Sequence, residues 1–446
     1  MSANLVRNPE FTEMAGALPA EWRTRSPRNE VAPRFSLGRD GETGMPVLRS
    51  EFPRGAKTFG QWETVVSGLE AGRAYSFSVE ASWTGIASAT ECVRLKVAWL
   101  AGPEADGDLR KELAAPARRG AGPWRRMEIV GVAPEGATAA RMELVSRWSP
   151  SGKVLWREPA ACEADPPQPR EVVLAAAVGP RGETPEANRA EHLRQARAAA
   201  EAGAEIIVLA EAFPRAGTGL SSYEAAEPLE GPTLQAMAGV SRETGAYIAG
   251  GIDELDGGVL YNTMLLVGPV GLVGRYRKTH LPEAECIGGV TPGEEYPVFE
   301  TPLGRIGLEI CYDNFFPEVA RSLAVGGAEI ILCSIAGDGR EGGMNWEVVS
   351  RARAIDNSVA FAAAIWPPGR SLVVNQWGHV LADSGGEPGF ITASVDLAER
   401  RWKQWMSVTS WGEWAGLWRH ERRPRTYGPL GMPLPPPPRA GYRKGT

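Results

Sequence analysis

Three polar residues that follow apolar runs could together perform acyl transfer. Glu211 closes the run IIVLAE, Lys278 closes LVGRYRK and Cys311 closes RIGLEIC. A carboxylate can accept the proton of a thiol and later activate water, and an ammonium group can stabilise the oxyanion formed when a thiolate adds to a carbonyl. The three residue types therefore predict hydrolysis of a carbonyl compound through a thioester on Cys311.

Each of these residues also has a simpler structural interpretation when considered alone. Glu211 could cap the next element or form a salt bridge, and Cys311 could be a small buried apolar side chain. Lys278 could be a surface charge in a run that also contains Arg275 and Arg277. Ligands of layered α/β folds collect beyond the carboxyl ends of the strands, so the joint placement of the three residues favours the catalytic interpretation.

Two rival chemistries use the histidines. A Cys–His pair would need His280 or His192, but none of the five cysteines has a papain-like or caspase-like context. His280, Glu283 and Glu285 could be metal ligands, yet their spacing matches no standard helical or loop site. The sequence therefore favours the pair formed by Cys311 and a glutamate, and predicts no metal.

A glycine pattern at residues 337–342 (GDGREG) matches GxGxxG after a predicted strand. A dinucleotide site would also need an acidic residue about 20 positions further on, at the end of the next strand. The segment 361–365 reads FAAAI and holds no carboxylate. The pattern therefore indicates a flexible strand-to-helix loop, and no cofactor is predicted.

Two segments of different pattern must hold the candidate residues. Residues 1–160 alternate apolar and polar side chains at the period of a β-strand, which predicts a β-sandwich over 1–165. From residue 171 apolar strands alternate with helices, which predicts an α/β domain over 170–430, after a proline-rich linker at 163–170. The predicted strands are 74–83, 92–100, 124–132, 139–148, 172–178, 204–210, 247–250, 260–267, 305–311, 329–333, 359–365 and 371–374, and the predicted helices are 187–202, 233–244, 317–325 and 346–356.

Composition narrows the class of protein. The chain has 446 residues, 43% of them hydrophobic, which predicts two folded domains. A net charge of −6 with no basic stripe argues against nucleic acid as a partner. No apolar run approaches the roughly 20 residues of a transmembrane helix, and the N-terminus lacks a signal-peptide pattern. Five cysteines without a CxxC pair predict a reducing, cytoplasmic compartment.

Three separated motifs of the second segment resemble the nitrilase superfamily of carbon–nitrogen hydrolases. They are IIVLAEAF around Glu211, GRYRKTHLPEAE around Lys278 and RIGLEICYDNFFPEVAR around Cys311, and a further block, NWEVVSRARAIDNSVAFAAA, follows from Asn345. The resemblance covers about residues 170–430, in the order of the family's motifs. Three motifs at sensible spacing are more specific than any single pattern.

The resemblance implies a fold, an assembly and roles. The fold would be a nitrilase-like α-β-β-α sandwich, usually assembled as a homodimer. Glu211 would be the general base, Lys278 the oxyanion stabiliser and Cys311 the nucleophile, with the backbone N–H of Tyr312 completing the oxyanion hole. Glu285 occupies the place of a second glutamate that positions the substrate or the lysine in many members.

Two positions next to the candidate catalytic residues are compared with the family pattern. Ala210 replaces a frequent proline before the catalytic glutamate and performs no chemistry. Tyr312 and Asp313 follow the nucleophile, which resembles the amide and carbamoyl branches, whereas nitrile-cleaving members more often show Trp-Glu. The expected substrate is a linear amide or N-carbamoyl compound. A nitrilase or an N-acyltransferase using the same triad remains an alternative.

Features of the rest of the chain indicate an alternative function that is not enzymatic. The N-terminal sequence NLVRNPEFTEMAGALPAEW resembles the start of a carbohydrate-binding type of jelly-roll, which implies possible carbohydrate contact. Five tryptophans at positions 402–418 predict an arm packed onto its own domain or a second subunit, or else an aromatic binding surface. Residues 431–446 form a proline-rich tail. A glycan-binding or scaffold protein with a silent hydrolase fold is therefore the second alternative.

Overall fold

The computed structural model describes residues 3–53, 55–105, 107–114, 122–337, 343–404, 411–415, 419 and 421–432. Two compact units make up the chain: Met1–Pro167 with Arg400–Thr446, and Gln168–Glu399. We call them the β unit and the α/β unit. Among the described residues, no helix has both the length and the apolar character needed to cross a bilayer.

The β unit begins with short strands and one short helix. These elements are β1 (Met14–Ala15), β2 (Leu18–Pro19), β3 (Arg23–Arg25), β4 (Arg34–Arg39), β5 (Pro46–Glu51), β6 (Phe59–Ser67), β7 (Ala74–Thr84), α1 (Ala89–Cys92), β8 (Val93–Leu100), β9 (Asp108–Ala114), β10 (Arg125–Val132), β11 (Ala139–Arg147) and β12 (Lys153–Glu163).

The α/β unit follows with alternating strands and helices. They are β13 (Glu171–Val178), α2 (Pro185–Glu201), β14 (Ile206–Leu209), α3 (Pro232–Thr244), β15 (Tyr247–Asp256), β16 (Val259–Gly268), β17 (Gly271–Arg277), α4 (Glu283–Ile287), β18 (Val298–Thr301), β19 (Gly304–Ile310), α5 (Pro317–Gly326), β20 (Ile330–Ile335), α6 (Gly343–Asn357), β21 (Ala360–Ile365), β22 (Leu372–Val374), β23 (Val380–Asp383) and β24 (Gly389–Asp396).

After the α/β unit the chain returns to the β unit and adds β25 (Trp402–Gln404) and β26 (Trp411–Glu413). The main sheets there have the orders β10-β7-β12-β5-β4 and β25-β26-β9-β8-β11-β6-β3. Fully buried aromatic side chains fill one core between them, and Phe77 of one sheet lies edge-on to Trp99 of the other at 5.5 Å. The predicted β-sandwich is present as two facing sheets.

The C-terminal boundary predicted at residue 430 is wrong. Strand β26 pairs in parallel with β9, so that Trp411 lies opposite Arg110. Arg423 and Arg425 form ion pairs with Glu91, which is 1% exposed at its side chain. These contacts assign residues from 400 onward to the β unit rather than to the α/β domain.

The tryptophan-rich arm therefore packs in part against the β unit of its own chain. Trp402 lies under the guanidinium groups of Arg110, at 4.4 Å, and Arg400, at 5.1 Å. Such stacking is typical of arginine over indole. Trp405 and Trp418 lie outside the described residues, as does the tail from residue 433.

The α/β unit holds two six-stranded sheets, of orders β17-β16-β15-β14-β13-β24 and β18-β19-β20-β21-β22-β23. Helices α2 and α3 pack on the first sheet, and α5 and α6 pack on the second. The sheets face each other, and the Ser334 hydroxyl donates to the Leu209 carbonyl across them at 2.7 Å. The predicted α-β-β-α layering is confirmed.

Local sequence explains several of these elements. β13 and β14 are continuous apolar runs because helices and sheet cover both of their faces. Helix α2 begins after Thr184, whose hydroxyl accepts from the Ala187 N–H at 3.2 Å, with Pro185 in the first turn. Helix α5 ends at Gly327, where φ is +109°, a left-handed conformation that favours glycine.

Candidate active site

The structure brings the three candidate catalytic residues together at one edge of the two sheets. Glu211 lies just after β14, Lys278 follows β17 and Cys311 follows β19. All three are buried, with exposed fractions of 3%, 1% and 9% respectively. Glutamate and lysine side chains are rarely buried without partners, so the contacts of Glu211 and Lys278 define the site.

Lys278 joins two carboxylates. Its Nζ donates to Glu211 Oε1 at 2.8 Å and to Glu285 Oε1 at 2.6 Å. Glu285 lies in the short helix α4, which places it beside the lysine. The predicted proximity of Glu285 to the site is therefore seen in the geometry, together with the Glu211–Lys278 pair.

Two further donors reach the same carboxylates, and the sequence analysis did not identify them. Asn262, in the middle of β16, donates from Nδ2 to Glu211 Oε1 at 2.8 Å and to Glu285 Oε1 at 3.2 Å. The backbone N–H of Ala336 donates to Glu211 Oε2 at 2.7 Å. The signal available in the sequence was a polar asparagine inside the apolar run LYNTMLLV.

Cys311 occupies a tight turn at the end of its strand. Its φ of +46° is left-handed, which is unusual for a residue with a side chain, and a 3-10 turn over Cys311–Phe315 follows. The thiol lies beside the Glu211 carboxylate, and each group affects the pKa of the other. The strained turn presents the sulfur to the carboxylate at the strand end.

The charges of the site follow from burial and pairing. Burial raises the pKa of the Cys311 thiol, and the nearby Glu211 carboxylate raises it further, so the resting sulfur is a protonated thiol. Burial alone would raise the pKa of Glu211, but the Lys278 ammonium and the donated hydrogen bonds hold it below its usual range. The thiol therefore needs a base, and an ionised base lies beside it.

Burial and nearby charges also set the pKa values of Lys278 and Glu285. Burial opposes the charge on Lys278, yet the two glutamates raise its pKa, so the lysine stays charged. Burial raises the pKa of Glu285, and repulsion from Glu211 adds to this. Two close carboxyl groups that share one cation favour protonation of one of them.

Asp313 connects the lysine segment to the nucleophile turn. Its buried carboxylate accepts from the Tyr276 hydroxyl at 2.7 Å, from the His280 N–H at 3.0 Å and from the Ile310 N–H at 3.2 Å. The His280 ring contacts the same carboxylate and stacks on Phe316 at 3.9 Å. His280 is thus one of the residues held around Asp313, and its interactions do not favour a Cys–His pair.

Packed aromatic side chains support the backbone of Glu211. Trp366 is 2% exposed and donates from its indole N–H to the Glu211 backbone carbonyl at 3.0 Å. The His192 ring lies between Trp366 and Phe213, at 4.8 and 5.0 Å. Burial lowers the pKa of His192 to about 4, so this imidazole is neutral and structural.

Phe315 and Tyr312 lie on the nucleophile turn. Phe315 packs against Trp346 at 4.6 Å, while the Tyr312 side chain is partly exposed. Tyr312 is the second residue of the 3-10 turn, directly after the nucleophile. The role of its N–H in an oxyanion hole stays a prediction.

A buried carboxyl group lies two residues before the nucleophile. Glu309 in β19 is fully buried, and neither of its oxygens has a hydrogen-bond partner among the described residues. Burial, with repulsion from Asp313, raises its pKa to about 8, against attraction by Arg353. Glu309 is therefore a neutral carboxylic acid at neutral pH, and the sequence analysis did not identify it.

Metal-binding geometry is not found in the described part of the chain, where no three His, Cys, Asp or Glu side chains group around a common point. His280 contacts Asp313, and Glu285 contacts Lys278. The five cysteines are all free thiols, with Cys286 exposed and Cys311 buried.

A cysteine with a buried carboxylate base and a fixed ammonium on an α-β-β-α scaffold defines a class of thiol-dependent acyl-transfer hydrolases. The sequence model of the carbon–nitrogen hydrolase family matches residues 174–404, more than half of the chain. The chain belongs to this family, as the motifs predicted. The matched range includes Glu211, Lys278, Glu285 and Cys311.

The chain is similar to several known proteins. Omega-amidase NIT2 of Homo sapiens is 37% identical over 222 residues, which cover 45% of this chain and 80% of that protein. Omega-amidase NIT2 of Xenopus tropicalis is 36% identical over 220 residues, covering 45% and 79%. The solved structure of Saccharomyces cerevisiae Nit3, a member of branch 10 of the nitrilase superfamily, is 26% identical and covers 51% of this chain and 90% of that chain, with a TM-score of 0.47.

Proposed function

We propose that the chain hydrolyses the C–N bond of a linear amide or N-carbamoyl compound through a thioester on Cys311. Glu211 accepts the thiol proton while the sulfur bonds to the carbonyl carbon, and Lys278 with the Tyr312 N–H stabilises the oxyanion. The C–N bond breaks, and Glu211 returns the proton to the leaving ammonia or amine. Water then loses a proton to Glu211, its oxygen bonds to the acyl carbon, and the released sulfur is reprotonated.

One observation carries this proposal: the buried Cys311 thiol lies beside a carboxylate that accepts a hydrogen bond from an ammonium group. The thiol is protonated at rest, so a nucleophile forms when Glu211 takes its proton. Lys278 is held at hydrogen-bond distance from both glutamates, and its fixed positive charge supports a role in stabilising an oxyanion. The named relatives are omega-amidases, which supports a terminal amide as the substrate.

An ammonia-release screen over linear amides, ureido acids and nitriles tests the proposal. Cys311→Ala is expected to abolish turnover while the chain still folds. Glu211→Gln is expected to stall the reaction, and Cys311→Ser provides a matched nucleophile of lower reactivity. Ammonia release by Cys311→Ala at the wild-type rate would contradict the mechanism.

The same screen separates the alternatives with the same triad. A nitrilase would form the free acid faster from a nitrile than from the matching amide. An N-acyltransferase would transfer the acyl group to added hydroxylamine in preference to water, giving a hydroxamate. Hydrolysis of the amide as the fastest reaction is the outcome that the proposal requires.

We further propose that the β unit is a jelly-roll accessory with possible carbohydrate contact. Its two facing sheets and aromatic core are consistent with this. A glycan array probed with full-length Cys311→Ala chain tests the binding. Because residues from 400 onward contribute strands to this unit, the full chain is the suitable reagent.

The assembly and the compartment are also proposals. The family resemblance supports a homodimer, which analytical ultracentrifugation would test. Five free thiols, three of them buried, support a cytoplasmic location because a reducing compartment keeps thiols unpaired. Imaging of the tagged chain in its host cell would test this.

A further inference from the structure

Asn262 contacts both carboxyl groups of the site without contributing charge. Its side chain is 4% exposed, and its Nδ2 lies 2.8 Å from Glu211 Oε1 and 3.2 Å from Glu285 Oε1. Lys278 Nζ donates to the same two oxygens, and the Lys278 backbone N–H donates to the Asn262 carbonyl at 2.9 Å. The amide and the ammonium thus hold the same pair of oxygens.

The orientation of the Asn262 amide is fixed by this chemistry. The opposite orientation would direct its carbonyl oxygen at two carboxyl oxygens that need donors. In the observed orientation Asn262 Oδ1 is buried without a hydrogen-bond partner among the described residues. An amide held with one unsatisfied oxygen indicates that its two donated bonds matter to the site.

The carboxyl groups of Glu211 and Glu285 differ in the hydrogen bonds that they accept. Glu211 accepts at both oxygens, from Lys278 and Asn262 at Oε1 and from the Ala336 N–H at Oε2. Glu285 accepts at Oε1, whereas its Oε2 is buried and has no partner among the described residues. A buried ionised carboxylate needs donors at both oxygens, so Glu211 fits the ionised form and Glu285 the protonated form.

We propose that Asn262 is a positioning residue that determines which carboxyl group carries the proton, keeping Glu211 ionised as the base and leaving the proton on Glu285. Its shorter bond goes to Glu211, so its loss weakens the ionised form of Glu211 more than that of Glu285. The two carboxyl groups then become more alike and compete for one proton. The inference rests on the proposed base role of Glu211.

The test measures the pH dependence of Cys311 alkylation by iodoacetamide, followed by mass spectrometry of the Cys311 peptide because the exposed Cys286 is alkylated as well. Asn262→Leu has a similar volume and no donor. We expect its alkylation midpoint to lie about one pH unit higher than in the wild type, which is about a tenfold lower rate on the acid side. The acid limb of kcat/KM is expected to shift in the same direction.

Thr263→Val is the matched control. Thr263 is the next residue of β16 and is fully buried, but its hydroxyl donates to Glu254 at 2.6 Å rather than to the site. We expect this variant to keep the wild-type midpoint. An unchanged midpoint in folded Asn262→Leu, even with reduced activity, overturns the inference and leaves Asn262 with a structural role.

Two further measurements keep the inference testable. If Asn262→Leu does not fold, carbon-13 NMR of the side-chain carboxyl groups of the wild-type chain, assigned with Glu285→Gln, reports the proton directly; a proton on Glu211 at neutral pH overturns the inference. If Glu211→Gln leaves the alkylation profile unchanged, the base role of Glu211 fails. If Glu211→Gln changes the profile and Asn262→Leu does not, this inference alone fails.

Discussion

Replacing Glu309 by glutamine is expected to remove a pH dependence of stability from the α/β unit. The pKa of Glu309 is raised from 4.5 to about 8 in the folded chain because the carboxyl group is buried and has no hydrogen-bond partner in the described part of the chain. Above pH 4.5 the unfolded chain loses this proton while the folded chain keeps it. The folded state therefore binds more protons between these pH values, and its stability falls as the pH rises through them.

The magnitude follows from the size of the shift. Each pKa unit corresponds to about 1.4 kcal/mol, so the free energy of unfolding falls by about 5 kcal/mol between pH 4.5 and about 8. The glutamine variant has no titratable group at this position but the same shape. We expect it to resemble the wild type near pH 4.5 and to become more stable than the wild type by about 1.4 kcal/mol per pH unit up to about pH 8, where the difference levels off.

Pulse alkylation of Cys333 at increasing urea concentrations measures the free energy of unfolding of the α/β unit. Cys333 is fully buried and lies opposite Glu309 in the β19–β20 pair, so it is labelled when this unit unfolds. Glu300→Gln, at an exposed carboxylate of β18, is the control and is expected to follow the wild type. A stability difference between Glu309→Gln and the wild type that stays constant from about pH 5 to 8 would refute the reasoning.

Three other predictions follow from the same structure. The pKa of His192 is lowered from 6.5 to about 4 by burial, so stability is expected to fall by about 3 kcal/mol as the pH drops through that range, and an NMR titration midpoint near 6.5 would contradict this. Lys278→Met is expected to lower kcat at least about 100-fold, by loss of oxyanion stabilisation, and steady-state kinetics that show a change in KM alone would exclude that role. Thr184→Ala is expected to cost about 1 kcal/mol of unfolding free energy by removing the cap of α2, whereas Thr184→Ser retains it.

The grouping of the three candidate catalytic residues could be predicted because its signals are local. Glu211, Lys278 and Cys311 each follow a strand whose apolar run is visible in the sequence, and strand ends at one sheet edge meet in space. The cap at Thr184 and the helices of the α/β unit also depend on short-range patterns. These parts of the fold needed no knowledge of distant contacts.

Asn262 and Glu309 could not be assigned in this way because they lie within strands. Whether a polar residue inside a strand faces the site depends on the pairing of β16 with its neighbours, which is a non-local property. The return of residues 400–430 to the β unit depends on the pairing of Trp411 with Arg110, about 300 positions earlier in the chain. No pattern within either segment specifies that partner.

The placement of β26 beside β9 makes the α/β unit an insertion within the β unit. During synthesis the ribosome releases residues 168–399 before the last strands of the β unit exist. Domains generally fold as they emerge, so the hydrolase-like insert is expected to fold while the backbone of β9 still lies at an open sheet edge. The β unit, which begins to be synthesised first, is therefore expected to complete its sheet only after the α/β unit has folded.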